Sequence, residues 1–329
     1  MTQNYTEENN SQIFAKEKSN SRENQIQSST LPPLTTERVN RVQEGLAAAV
    51  DSAVRQQIAE TLQQLTDMTS QHPEPRVNAG VRRLVLRSLI HTFFQVQVEY
   101  LERFPQQPAI LAVNHLHHID PFLLLSEIPT APYYYILGDA RTLYNKWWKR
   151  FILGFAGGVI PLERMWKEEF AVIAEAKAGR KELAELATEI EQNVPKGTDI
   201  QTLRQIDRIV LKILARGDGI VLFPEGRLGE TEGNLHLPLK RGTVIYALKS
   251  GVPIVPVALI GTHNLYLRKK LTIRFGQPLY FAENPIPKRQ EVEQVLLKLQ
   301  SEMQALLPTD YQEPTGPKLL CNFLNHLFW

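Results

Sequence analysis

Short, uninterrupted apolar runs set the narrowest limits on what this chain can fold into. Residues 109–113 form one, and runs of the same kind recur at 133–137, 158–162, 219–223, 254–259 and 271–275. A strand reads this way when both faces of its sheet are covered. Residues 94–98 instead alternate apolar and polar, as a half-buried strand does. Helical segments lie between the runs: one after Asp120, one at 146–155 and one at 241–249. Strands alternating with helices predict an α/β fold, with a mostly parallel central sheet flanked by helices.

The rest of the chain arranges itself around that sheet. Residues 1–35 are rich in Asn, Gln, Ser, Thr and Glu and read as a disordered polar tail closed by Pro32 and Pro33. Residues 36–80 form an N-terminal helical segment, in which Val39, Val42, Leu46 and Val50 fall three and four apart. The α/β domain runs from 81 to 310. It is interrupted at about 165–200, where strand signals stop and an Ala-, Glu-, Lys- and Leu-rich stretch reads as a helical insertion. Leu203, Ile206, Ile209, Val210 and Ile213 then make the apolar stripe of a core-facing helix. Residues 311–329 form an amphipathic C-terminal segment, with Leu319, Leu320, Phe323 and Leu324 on one face.

Composition excludes several classes of function. With 43% hydrophobic and 22% charged residues, the chain has the makings of a real core. Its formal net charge of +2 gives no bulk field for nucleic acid, and no nucleic-acid partner is expected. Cys321 is the only cysteine, so no intrachain disulfide and no cysteine-based zinc site can form. No apolar run reaches the roughly 18 residues of a membrane-spanning helix. The expected location is cytoplasmic, peripheral at a membrane surface.

The chemistry points to one turn. Asn114-His-Leu-His-His-Ile-Asp120 follows a covered strand and precedes a helix. In open α/β sheets, ligands gather at the carboxyl ends of strands. Four residues separate His115 from Asp120, so the turn can fold the carboxylate back onto the imidazole. A carboxylate on one ring nitrogen sets the tautomer, and the other nitrogen can then take a proton from a hydroxyl. Zinc or iron is the competing use of His115, His117, His118 and Asp120. The usual metallo-hydrolase spacing would need an Asp where Ile119 stands, and no other histidine forms a ligand pair, so no metal is expected.

Three further blocks follow in order. Residues 158–164 end a strand with Arg164, residues 223–227 carry Phe-Pro-Glu-Gly-Arg into a turn, and residues 252–257 read Val-Pro-Ile-Val-Pro-Val. With Asn114, His115 and Asp120, these blocks resemble the motifs of the glycerolipid acyltransferase family, which contains the 1-acylglycerol-3-phosphate acyltransferases. The resemblance covers about residues 90–285. It implies that His115 and Asp120 are the catalytic pair. It also implies that Asn114, Arg164, Glu225, Gly226 and Arg227 bind an acceptor carrying glycerol phosphate. An arginine fork suits phosphate oxygens, and glycine lets backbone approach closely. Two departures stand out: Leu228 occupies the place where the family has an arginine, and the 165–216 stretch separates the second and third blocks widely.

The expected activity is transfer of a fatty acyl group from a thioester to the hydroxyl of a lysophospholipid, 1-acylglycerol-3-phosphate first, giving phosphatidic acid. The donor is acyl-CoA or an acyl carrier protein thioester, a co-substrate, so no cofactor is expected. Another lysolipid or glycerol-3-phosphate as acceptor, a related thioester or lipid hydrolase, and a catalytically silent membrane-surface scaffold remain as alternatives. For docking, the aromatic and basic stretch at 141–150 offers Trp147 and Trp148, and the C-terminal face offers Phe323 and Trp329.

Overall fold

A computed structural model describes residues 31–68, 76–145, 150, 157–197 and 200–327. From the amino end, helices α1 (Thr36–Val50), α2 (Ser52–Asp67) and α3 (Ala79–Phe93) lead into strand β1 (Gln95–Glu99). There follow β2 (Ile110–Val113), α4 (Asp120–Glu127), β3 (Tyr134–Asp139), α5 (Ala140–Tyr144) and β4 (Val159–Leu162). Helices α6 (Lys167–Lys177), α7 (Ala184–Asn193) and α8 (Ile200–Ala215) come next. The chain ends with β5 (Gly219–Leu222), α9 (Gly242–Ser250), β6 (Ile254–Ile260), β7 (Lys270–Phe275), α10 (Arg289–Leu306) and α11 (Cys321–Leu327). The tail at 1–30 and most of the helix expected at 146–155, with Trp147 and Trp148, lie outside the described residues, as does Trp329.

The strands form one seven-stranded sheet in the order β1-β7-β6-β2-β5-β3-β4. Only the β6–β7 pair is antiparallel; every other pair runs parallel. At the centre, Ile110 of β2 pairs with Ile220 of β5 on one side and Ile254 of β6 on the other. All three are fully buried, which is why these strands carry no polar alternation. β1 lies at an edge, and there Gln95 and Gln97 face solvent while Val96 and Val98 are half-buried, the alternation read from the sequence. Because β2, β5 and β6 run parallel, the segments after Val113, Leu222 and Ile260 all leave the sheet at the same end.

The chain forms two compact units. The larger holds the sheet, with the described residues of Gln56–Leu162 and Ile200–Trp329; the smaller holds those up to Arg55 together with Glu163–Asp199. The helical segment read as 36–80 is therefore divided. α1 buries Val42 and Leu46 against Val172 of α6 and Ala187 and Ile190 of α7. Leu65 of α2 and the following Met68 join the core of the sheet unit instead. The insertion is also less regular than its composition implied. α6 ends at Ala178, Gly179 takes a positive φ of 108°, and a short 3₁₀ turn precedes α7. In the larger unit, α8 puts Ile206, Ile209, Val210 and Ile213 into the core, as its stripe predicted.

The C-terminal helix packs on its own unit, against the β6–β7 connection. Leu324 is fully buried. The Asn325 side chain accepts from the Leu265 N–H and donates to the Leu265 carbonyl, both at 2.9 Å. The Leu267 N–H donates to the Leu319 carbonyl at 2.8 Å. The basic run at 268–270 splits as well: Arg268 and Lys270 are exposed, but Lys269 is buried. Burial holds the Lys269 ammonium below the usual lysine range. Its Nζ donates to the Asn264 carbonyl at 2.8 Å and to Glu313 Oε2 at 2.9 Å. Asn325→Ala leaves the buried Leu265 groups unpaired, at about 1–3 kcal/mol. Hydrogen exchange should then quicken in α11 while the central strands stay protected. Unchanged protection of α11 would show that Leu324 alone holds the helix.

Candidate functional site

The site is built where β2 ends. Asn114, the first residue beyond the strand, is buried, and its carboxamide closes two hydrogen bonds with Leu259 of β6. Asn114 Nδ2 donates to the Leu259 carbonyl at 2.9 Å, and the Leu259 N–H donates to Oδ1 at 2.7 Å. The pair continues the β2–β6 ladder by one side chain, so His115 leaves the sheet at a defined point. Asn114 was expected to touch substrate; these bonds make it a tie between strands.

Asp120 organises the turn that follows. Its carboxylate is fully buried, and one oxygen, Oδ2, accepts from the Leu116 N–H at 2.7 Å and the His117 N–H at 2.9 Å. The same oxygen lies 2.9 Å from His115 Nδ1. The carboxylate oxygen that meets the ring is thus already held by main-chain donors of its own turn. With Nδ1–H donating to Asp120, the lone pair of Nε2 is left to act as a base; this tautomer follows from the hydrogen-bond geometry. The imidazole also stacks on Phe223, ring centroids 4.1 Å apart and planes at 28°. The ring is thus fixed by an edge contact and a face contact, while its side chain keeps 18% exposure.

A second buried carboxylate joins this turn to the one after β5. Glu225 Oε1 accepts from the His115 N–H at 2.7 Å, and Oε2 accepts from the His236 N–H at 2.5 Å. Burial raises the Glu225 pKa, and these two N–H bonds oppose the shift. With each oxygen taking a main-chain N–H, Glu225 ties the turn after β2 to the loop after β5. The Gly229 N–H closes the arrangement by donating to the His115 carbonyl at 2.6 Å. A Cβ at Gly229 would come within 2.9 Å of Leu116 Cδ2, so a larger residue here would have to push that methyl aside. Gly226 takes a positive φ of 68°, with the Lys240 stem lying across it. Arg227 is held by Glu230 Oε1 and His236 Nδ1, each 3.0 Å from its Nη2.

The structure therefore brings together His115, Asp120, Glu225, Gly226 and Arg227. Arg164, two residues past β4, belongs to the smaller unit, where its Cβ and Cα pack against the turn at Gly197. Ser126, the serine nearest the motif, is fully buried, and its Oγ donates to the Leu123 carbonyl and to Glu127. Sequence reasoning missed Phe223, Gly229 and His236. Phe223 carried a signal, since it ends a covered strand; His236 lies in a loop without pattern and carried none. Among the described residues, no group of three or more His, Cys, Asp or Glu side chains is placed to hold a metal ion.

The sequence of this region matches a known domain. A family model, Acyltransferase, matches residues 95–260, from β1 to the end of β6. The chain belongs to the acyltransferase family. Its similarity to curated members is partial. A 1-acyl-sn-glycerol-3-phosphate acyltransferase of Cocos nucifera is 36% identical over 75 residues, 23% of each chain. A chloroplastic 1-acyl-sn-glycerol-3-phosphate acyltransferase of Brassica napus is 24% identical over 54% of this chain and 40% of its own length. The chain thus spans less than half the length of these relatives. The solved 1-acyl-sn-glycerophosphate acyltransferase of Thermotoga maritima superposes with a TM-score of 0.39 at 16% identity, over 70% of this chain and 79% of that one.

His117 gives this acyltransferase site a built-in acid sensitivity. It is buried beside His115 and Asp120 and accepts the Ile119 N–H on Nδ1. Burial pushes its pKa down to about 4, against the pull of Asp120. The unfolded chain takes up this proton near the ordinary histidine value of 6.5, the folded chain only near 4. Stability is therefore lost as pH falls through that window, by roughly 3 kcal/mol at most. His117→Asn keeps an acceptor for Ile119 and cannot titrate. Melting curves taken from pH 7 to 4 should be flatter for the variant; an identical slope would place the acid sensitivity elsewhere.

Proposed function

We propose that this acyltransferase moves a fatty acyl group from a thioester to the hydroxyl of 1-acylglycerol-3-phosphate, giving phosphatidic acid. The observation that carries the reading is the 2.9 Å contact of His115 Nδ1 with the buried Asp120 carboxylate, which leaves Nε2 as a base. The names of the relatives, 1-acyl-sn-glycerol-3-phosphate acyltransferases, support the acceptor. In this mechanism Nε2 takes the proton of the acceptor hydroxyl as its oxygen attacks the thioester carbonyl. Asp120 stabilises the imidazolium. Collapse of the tetrahedral intermediate breaks the C–S bond, and the imidazolium returns its proton to the departing thiolate. The donor is acyl-CoA or an acyl carrier protein thioester, and no resident cofactor takes part. Arg227 meets the acceptor's phosphate. Arg164 is assigned the same partner on its motif alone.

The acceptor is a lipid, so the protein works at a membrane surface. Among the described residues no helix is long and apolar enough to cross a membrane. Leu319, Leu320 and Phe323 are 61%, 49% and 53% exposed, beside the anchored Leu324. That apolar patch supports docking through the C-terminal segment. The docking roles of Trp147, Trp148 and Trp329 rest on the sequence.

Purified protein, offered acyl-CoA and acyl carrier protein thioesters against a panel of lysolipids, should acylate the phosphate-bearing acceptor. Mass spectrometry reads the product; free fatty acid as the main product would make the chain a hydrolase. His115→Ala should abolish transfer with little change in melting. Asp120→Asn should cost on the order of a hundredfold or more, because an amide facing Nδ1 imposes the wrong tautomer. Chelators should have no effect, and activity lost to a chelator and restored by zinc would overturn the base assignment. Replacing Leu319, Leu320 and Phe323 by serine should reduce co-sedimentation with anionic vesicles. Wild-type retention of all three variants on vesicles would move docking to another surface.

A further inference from the structure

Arg227 does not stand alone in the acceptor turn. Its Nη2 donates to His236 Nδ1 and to Glu230 Oε1, each at 3.0 Å. The two holders are unequal. The Glu230 side chain is 74% exposed, and an exposed ion pair holds a guanidinium weakly. His236 is half-buried, and its main chain is fixed by the 2.5 Å bond to Glu225 Oε2. The other oxygen of that carboxylate takes the His115 N–H. One buried carboxylate therefore sets His236 against His115, and the His236 ring sets Arg227. Arg227 Nε is buried with no hydrogen-bond partner among the described residues. A buried donor of this kind is costly until an acceptor, such as a phosphate oxygen, meets it.

We infer that His236 is a positioning residue for the acceptor's phosphate, holding the Arg227 guanidinium in register with the catalytic turn through Glu225. This rests on the reading above that the acceptor carries a phosphate met by Arg227. His236 acts as an acceptor on Nδ1, so its ring is neutral with the proton on Nε2. A side chain that accepts at the same distance from the backbone can replace it; an apolar one cannot.

The test compares wild type, His236→Ala, His236→Asn, Arg227→Ala and the Arg227→Ala/His236→Ala double variant. Each is assayed with 1-acylglycerol-3-phosphate and with monoacylglycerol, which lacks the phosphate. His236→Ala should raise KM for the phosphate acceptor about tenfold, with the loss on KM and not on kcat. KM for the thioester and the use of monoacylglycerol should change little. His236→Asn should restore most of the affinity, since Asn Oδ1 can accept from Nη2. The double variant should be no worse than Arg227→Ala, because both remove one unit. Additive losses, a failure of His236→Asn to rescue, or a loss on kcat with both acceptors would make His236 merely structural and overturn the inference. An unchanged KM in His236→Ala would overturn it while the acyl-transfer reading stands. A wild type that does not prefer the phosphate acceptor would overturn that reading and this inference with it.

Discussion

The arrangement depends on one buried oxygen. Asp120 Oδ2, on a fully buried carboxylate, gathers two main-chain N–H groups and the imidazole of His115. A carboxylate at such a place is costly unless its donors are aligned, and each of these comes from the turn it closes. The cost of burial is offset only when the turn has its native shape. The same contact therefore folds the loop and orients the His115 ring, so the geometry of this turn and its local stability cannot be separated.

The sheet supplies what that turn cannot supply for itself, a fixed origin. Asn114 locks the end of β2 to β6, and Glu225 locks the first residue of the turn to the loop after β5. Phe223, at the end of β5, gives the imidazole a flat wall. Three parallel strands thus meet at one point, β2 and β5 through side chains just past their last residues and β6 through the main chain of Leu259. Neighbouring parallel strands end together, so short side chains can bridge them, and the site inherits the rigidity of the core beneath it. The expectation that Asn114 and Glu225 bind substrate came from their place in the motifs. Their hydrogen bonds show both residues tying the loops around His115 to the sheet.

Reading outward from the site, the legible features are those with a local cause. Covered strands show as unbroken apolar runs, because nothing polar fits between two layers. The His115 and Asp120 spacing shows because a turn between strand and helix brings such a pair together without help from elsewhere. The stripe of α8 shows because its period matches a helix. Features made by distant partners leave no such mark. His236 reaches Arg227 and Glu225 across a loop with no regular pattern, and Lys269 turns inward only because Asn264 and Glu313 wait for it. The 36–80 segment reads as one helical stretch, yet α1 and α2 serve different cores, since amphipathicity fixes which face is buried and not what buries it.

By itself, the sequence determined the α/β class, the order of strands and helices along the chain, the spacing that lets His115 meet Asp120 and the family to which the motifs point. Those follow from periodicity and from spacing within a few residues, which the backbone enforces locally. Only the tertiary structure decided the strand order in the sheet, the edge position of β1 and the antiparallel turn of β7. It also decided that Asn114 and Glu225 hold loops together, that α11 lies on the β6–β7 connection, and that His236 stands beside Arg227. Apart from the His236–Arg227 pair, nine residues apart within one loop, these join residues far apart in the chain. Their pairing is set by which buried donors and acceptors must be satisfied once the core has formed, and no local pattern encodes it.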